Sequence, residues 1–502
     1  MFEPKYTQVN SSTRLRLGTT QTNIEFKLPI EENVNAVYSV SGNSAIISSD
    51  YAGNSINYNG LLDVQVCYDG GTILATDYNV DFKDKYTAEQ DINGELLISS
   101  NVIDISTTNV SGGLKINAIV EVYFDAIVTN NYNVLTNVND EPYISTKTLE
   151  YSEFLGKSCE KFDVEETIEL KSAKKVLMVT PTVCLGSIEP KDDYALVGGA
   201  LNVAICYLSG DNVQDVHTEN RTIDFTWEVA FEDLNDNSFI QSAIAINFNE
   251  IRVSTTIEAD VTSIDIYVPI TYCGYCFNRY CIDIVDDLYL ETNYLSITSD
   301  SISTITELPT ACFGDNISGV ASITDTAPFI DEILGVSTNN IVLASSKIID
   351  GKIVVEGIAN STVAYYTKET ESITTVQVEM PFFVEEKANG DEASIVTMCL
   401  TDIVAKSRRG KEIEVSGELK VYADLYKYNT DVVITDVTIG DEKPVDECSL
   451  FVYIVKPNET LWDVAKEMNV SQELILQQNP DVELPLQPGD RIIIYKPKIM
   501  KF

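Results

Sequence analysis

Gly60-LLDVQVCY ending at Tyr68, Gly199-ALNVAICY ending at Tyr207 and Gly357-IANSTVAY ending at Tyr365 are three G-x7-Y runs in one chain of 502 residues. Each reads as a strand opened by glycine. Their starts lie 139 and 158 residues apart, the spacing of a tandem repeat. Each run is followed by a second alternating stretch, clearest in the third copy, where Ile373, Val376, Val378 and Met380 precede Pro381, Phe382 and Phe383. A further strand closes each copy. In the first it carries Leu114, Ile116, Ala118 and Val120; in the third, Leu419, Val421, Ala423 and Leu425. A period of two puts one face of each on a core. The second copy closes less regularly, through IEADVTSIDIYVPITY. Helix-period patterns are scarce before residue 440, so the chain is predicted to be mainly β, with three tandem β-sandwich or barrel-like units.

Composition agrees. At 44% apolar residues and 26 Tyr the chain can build several cores, and its length calls for three or four domains. Lys+Arg of 34 against Asp+Glu of 77 gives a net charge of −43, a field that repels nucleic acid and anionic membrane surfaces. No apolar run approaches the ~20 residues that span a bilayer, so no membrane insertion is expected. The opening MFEPKYTQVN has no basic region followed by an apolar one, and we read no secretory signal in it. Ten cysteines in such a chain point to reduced thiols.

Asn429 to Cys448 loses alternation and ends in an acidic, Pro-containing stretch. The expected organisation is therefore β units at 1–150, 151–295 and 296–435, a linker at 436–448, and a separate module at 449–502 whose net charge is only −1. In that module Tyr453-IVK reads as a strand and Pro457-Asn458-Glu459 as a turn. Thr460-LWDVAKEM reads as a helix, with Thr460 and Asp463 as a variant capping box. Leu461, Val464, Ala465 and Met468 share one helix face. Ser471 caps a second helix that Asn479-Pro480 ends, and Pro488-Gly489-Asp490 turns into a last strand, Arg491-IIIY. The order is strand, helix, helix, strand, a small α+β fold.

This segment resembles the LysM domain, through Tyr453, Val455, Lys456, Pro457, Thr460, Leu461, Trp462, Ala465, Asn479, Pro480, Leu486, Pro488, Gly489, Asp490, Ile492 and Ile494. Asn458 and Glu459 replace the family's Gly-Asp in a loop that walls the N-acetylglucosamine groove. Asn tolerates a positive φ, which preserves the turn. The resemblance implies a binding surface of Asn458, Glu459, Thr460, Leu461, Trp462, Asn479 and Pro480. Taken alone, Trp462 reads as well as a packing residue, and Asn479 as a helix terminus.

The third repeat, from Val354 to Phe382 with the closing EIEVSGELKVYADLY, resembles the SPOCS domain of spore-coat proteins, and the first two copies look like more diverged members. Tandem SPOCS units followed by one LysM are similar to the coat morphogenetic proteins that dock the spore coat on the forespore. That resemblance implies a non-enzymatic adaptor made in the mother-cell cytoplasm. Its LysM would grip the coat's basal-layer morphogenetic ATPase, with other coat proteins as further partners. Peptidoglycan glycan is the alternative ligand.

Chemistry was sought and finds little support. The sole histidine, His217, would have to serve any Ser-His-Asp triad alone, and its place between strand patterns reads as surface. There is no G-x4-G-K-[S/T] run, and Ser407-RRGKE is basic without being a phosphate loop. Acid pairs such as Asp286-Asp287 and Asp233 with Asp236 are expected by chance in so acidic a chain. Cys273, Cys276 and Cys281 form a C-x2-C-x4-C run, with Cys159, Cys184 or Cys312 as a fourth ligand for a metal. Buried or free thiols on a hairpin, and thiols that crosslink on oxidation, are the competing readings of that run. No cofactor is expected.

Overall fold

The computed structural model describes residues 2–139, 142–171, 173–210, 215–232, 234–258, 261–324, 328–444 and 450–496. Asp233 and the part of the expected linker at 445–448 lie outside the described residues. The first unit is built from β1 (Pro4–Pro29), β2 (Ala36–Ala52), β3 (Ser55–Asp69), β4 (Ile73–Thr87), β5 (Glu95–Val110) and β6 (Gly113–Val138). They make two three-stranded antiparallel sheets, β1-β6-β5 and β2-β3-β4, whose facing sides share one core. Leu114, Ile116, Ala118 and Val120 of β6 are all fully buried there, as their alternation requires.

The second unit repeats the plan with β7 (Tyr143–Lys171), β8 (Lys175–Pro190), β9 (Tyr194–Leu208), β10 (Val216–Ala230), β11 (Ser238–Ile246), β12 (Arg252–Glu258) and β13 (Val261–Tyr289). Its irregular closing sequence has a simple cause. A 3-10 turn at Phe248–Glu250 splits one edge strand into β11 and β12, and both pair with β13 while β7 takes the other edge. The third unit has β14 (Asn293–Ser322), β15 (Glu332–Ile349), β16 (Lys352–Thr367), β17 (Ser372–Lys387), β18 (Glu392–Arg408) and β19 (Glu412–Glu442), in sheets β14-β19-β18 and β15-β16-β17.

The repeat's glycines now have a reason. Gly60, Gly199 and Gly357 sit on the central strands β3, β9 and β16, each directly opposite a phenylalanine: Phe82, Phe225 and Phe382. A Cβ at Gly60 would stand 2.2 Å from the Phe82 ring, at Gly199 2.5 Å from Phe225, and at Gly357 2.4 Å from Phe382. The ring lies over the bare backbone in every copy, so a side chain is excluded there.

Strand ends differ from the expected domain edges. β7 runs through 150/151, β14 through 295/296 and β19 through 435/436, so residues 436–442 are strand and not linker. The reason is the length of the first and last strand of each unit, 26 to 31 residues, well beyond a sandwich's need. Each crosses its own sandwich and then continues into a shared three-armed stalk. Val9, Leu149 and Ile302 meet there with Val134, Ile284 and Val433, one pair from each unit at equivalent register. Leu135, Val285 and Ile434 form the next layer, with Val138, Leu288 and Val437. A register shift between Arg16 and Gly18, and another between Cys276 and Phe277, lie near where the strand leaves sandwich for stalk.

The three sandwiches therefore close around a pseudo-threefold axis. The first meets the second where Gln65 Nε2 donates to the Val179 carbonyl at 3.1 Å. The second meets the third through a Cys184–Cys399 disulfide, and the third returns to the first where Asn101 Nδ2 donates to the Ile341 carbonyl at 3.0 Å. At one level Arg14, ion-paired with Asp125, also donates to the Tyr426 hydroxyl at 2.7 Å and to Ser394 at 3.0 Å. No helix among the described residues is long and apolar enough to cross a membrane.

Candidate binding site

The C-terminal module folds as β20 (Leu450–Ile454), α1 (Leu461–Met468), α2 (Gln472–Gln478) and β21 (Arg491–Tyr495), the two strands antiparallel. Thr460 caps α1 with a complete box: its hydroxyl accepts from the Asp463 amide and its own amide donates to the Asp463 carboxylate at 2.8 Å. The Thr460 hydroxyl also donates to that carboxylate at 2.6 Å, and this bond first, then the amide's, holds the Asp463 carboxyl below its ordinary range. Asn469 ends α1 in the left-handed conformation, and the Ser471 hydroxyl caps α2.

The residues expected to form a groove serve different ends. Asn458 is exposed and takes φ of 64°, the conformation that glycine supplies in the family pattern. Glu459 folds back on its own turn, accepting from the Lys456 amide at 2.7 Å and the Tyr453 hydroxyl at 2.8 Å. The amide bond is the leading reason that its carboxyl sits below the usual range. Leu461 is core. Asn479 is buried, its amide donating to the Ile475 and Ile493 carbonyls at 2.8 and 2.7 Å and its oxygen accepting from the Ile493 amide at 2.8 Å. It staples α2 to β21 and has no atom left for a ligand. Pro480 is exposed beside it.

Trp462 faces the β units. Its indole N–H donates to Asp287 Oδ2 at 2.8 Å and its ring meets Tyr289 edge-on, with centroids 5.1 Å apart. Lys466 reaches both oxygens of the same carboxylate at 2.7 Å, and the Tyr289 hydroxyl donates to the Val470 carbonyl at 2.7 Å. Asp287, one of the acid pairs expected by chance in so acidic a chain, is the seat of the module, while Asp286 pairs with Lys147 at 3.1 Å. The module's core includes Tyr289 from the end of β13, so the side of α1 that carries Trp462 and Lys466 is docked on the stalk's tip.

The open surface lies on the other side. Phe451, Tyr453, Ile492 and Ile494 of the two strands point at the helices. Leu450, Val452 and Ile454, and across from them Ile493 and Tyr495, face outward with 62%, 61%, 60%, 49% and 53% of their surface exposed. Five apolar side chains on one face of a two-stranded sheet mark an interaction surface. Its signal was legible: LFVYI and RIIIY are apolar at nearly every position, where a one-sided strand would alternate.

The thiol cluster is not a metal site. Cys273, Cys276 and Cys281 lie along the single extended strand β13, where odd separations put neighbours on opposite faces and a rise of ~3.3 Å per residue puts the last two ~16 Å apart. No tetrahedral ion spans that distance. Cys273 instead faces Cys159 across the β7–β13 pair, Cα–Cα 4.1 Å, in a disulfide. Together with Cys184–Cys399 this corrects the expectation of wholly reduced thiols, because the fold brings these four together in pairs. Cys276 is buried, which pushes its thiol up to about 12, and Cys281 and Cys312 are exposed. Among the described residues no three potential ligands gather. His217 accepts or donates at 3.0 Å to the Ser209 hydroxyl, and Ser209 also reaches the Asp215 carbonyl at 3.3 Å, so the pair closes the β9–β10 turn.

Two family models match this chain. Residues 172–258 match the domain described as "SipL, SPOCS domain", and residues 453–494 match the LysM domain. The SPOCS match falls on β8 to β12 of the second unit, whereas the resemblance read from sequence was firmest in the third. Both are binding domains without catalytic machinery, and together they fit a sporulation coat-associated protein. No curated protein and no solved structure matches the chain.

Proposed function

We propose that this chain is a non-enzymatic scaffold of the spore coat. Its three β units, of one plan, pack on one another as the scaffold, and its LysM domain recruits a protein partner, the basal-layer coat morphogenetic ATPase. The observation that carries the reading is the outward apolar sheet face of Leu450, Val452, Ile454, Ile493 and Tyr495. A face of that composition recognises protein better than sugar, because glycan sites need polar groups that fix hydroxyls. The groove side is correspondingly spent: Asn479 is bonded within the fold, Glu459 within its own turn, and Trp462 on Asp287. Of that side only Asn458, Thr460 and Pro480 remain open to solvent.

In this reading the protein assembles on the forespore surface from the mother-cell cytoplasm. The test is a fluorescent fusion in sporulating cells, full-length, truncated after residue 448, and carrying Val452→Asp with Ile493→Asp. The expected result is a forespore ring for the first and dispersed signal for the other two. A ring that survives the double substitution, or sedimentation of the protein with purified peptidoglycan that the substitutions leave intact, would overturn the protein-partner reading in favour of glycan.

A further inference from the structure

Cys67 and Cys206 occupy one repeat position: each stands seven residues after its unit's strand-opening glycine, and the third copy has Ala364 there. The pseudo-threefold arrangement brings that position to a point. Cys67 and Cys206 pack with Ala364 between two further rings of equivalents, Tyr38 with Leu334 and Ile73 with Val216 and Ile373. The two thiols lie close enough to act on each other's ionisation, and Thr218 lies beside Cys206. Cys67 is 4% exposed, yet both cysteines line a cavity of about 830 Å³ that runs between the three units.

We infer that Cys67 and Cys206 are a redox site, at which hydrogen peroxide entering this cavity closes a disulfide between the first and second β units. The asymmetry of the pair assigns the roles. Cys206 is the more accessible of the two and has Thr218 beside it to favour its thiolate, which makes it the attacking sulfur, while the buried Cys67 resolves. The Cys206 thiolate attacks one peroxide oxygen; the O–O bond breaks, an S–O bond forms, and the departing hydroxide takes up the proton that Cys206 released, leaving as water. Cys67 sulfur then attacks the sulfenic sulfur; S–O breaks, S–S forms, and the hydroxide leaves with the Cys67 proton as a second water. Two electrons pass from sulfur to peroxide.

Two features of the fold favour this product. Ala364 in the third place leaves two thiols and no third on the axis, which suits a disulfide and not a trithiolate metal site. Cys184–Cys399 already joins the second unit to the third, so the new bond would leave all three covalently tied.

The test treats the full chain, its two disulfides intact, with stoichiometric hydrogen peroxide. Thiols are then alkylated under denaturing conditions and mapped by peptide mass. The expected result is a Cys67–Cys206 linked peptide, lighter by two hydrogens, and a rise in the unfolding midpoint. In Cys67→Ala, which copies the third unit's own residue and so should fold, Cys206 should instead be trapped as sulfenic acid by dimedone and the midpoint should not rise. If Cys67 and Cys206 stay alkylatable after exposed Cys281 and Cys312 have reacted, or if either pairs elsewhere, the inference is wrong.

Discussion

A missing side chain defines the repeat at the scale of single residues, and two of its copies predict different behaviour. At Gly60 the three atoms nearest to an added Cβ all belong to the Phe82 ring, whereas at Gly357 the Val342 carbonyl lies nearest, 2.2 Å away. Gly60→Ala and Gly357→Ala should each cost about 1–3 kcal/mol in denaturant unfolding, the usual range of overpacking. Adding Phe82→Leu should recover part of the first loss; adding Phe382→Leu should not recover the second, because a backbone carbonyl cannot step aside. Equal rescue of both would show that the ring is not what excludes the side chain. Asp287 is the second decisive residue. It accepts from both Trp462 and Lys466, so Asp287→Ala should free the module from the stalk. Its carboxylate is partly exposed, which keeps the expected loss near 1 kcal/mol. Trp462 is one of only two tryptophans, so in a Trp227→Phe background its emission should shift to the red on this substitution. An unchanged spectrum would mean that the docking stands without Asp287.

At the scale of elements, what could be read from sequence and what could not divide along single strands. In β6 and β19 the sandwich portion alternates, and Leu114, Ile116, Ala118 and Val120, like Leu419, Val421, Ala423 and Leu425, are buried as that pattern demands, while in β19 Tyr422 and Asp424 of the other face are buried as well. The stalk portions of β1, β7 and β14 bury Val9, Leu149 and Ile302 against one another, partners more than 130 residues apart, so no local period announces them. The capping box of α1 was legible because both its members lie within one turn. The seat of that helix was not, because Asp287 comes from 175 residues away. Stalk burial carries a testable weight: Leu149→Ala should destabilise the chain by about 2–5 kcal/mol, the cost of a large-to-small change in a closed layer. Denaturant unfolding that shows less than 1 kcal/mol would mean that the arms splay and the layer is not closed.

For the whole molecule, closure of three units into one body buries polar groups at their seams, and stability thereby becomes linked to pH. Asp63 of β3 lies on the face that Gln65 and Cys67 turn to the second unit, and burial, with the nearby charge of Asp77, raises its pKa from 3.8 to about 7. Asp424, held against the Ser242 amide at 3.2 Å across the seam between the third and second units, is likewise raised to about 7 by burial. Between about pH 4 and 7 the folded chain keeps protons that the unfolded chain has released. These two groups therefore favour folding more as pH falls through 7, and above 7 both are ionised and the full penalty stands. Denaturant midpoints should rise from pH 8 to pH 6. In Asp63→Asn that slope should lose up to one proton's worth, about 1.4 kcal/mol per pH unit, while the chain becomes more stable at pH 8. The same substitution on an isolated unit should matter far less, since without its neighbour Asp63 faces water. A slope unchanged in the full-length variant would mean that the seam between the first two units is open to solvent, and that the three sandwiches are strung on their strands instead of closed on one another.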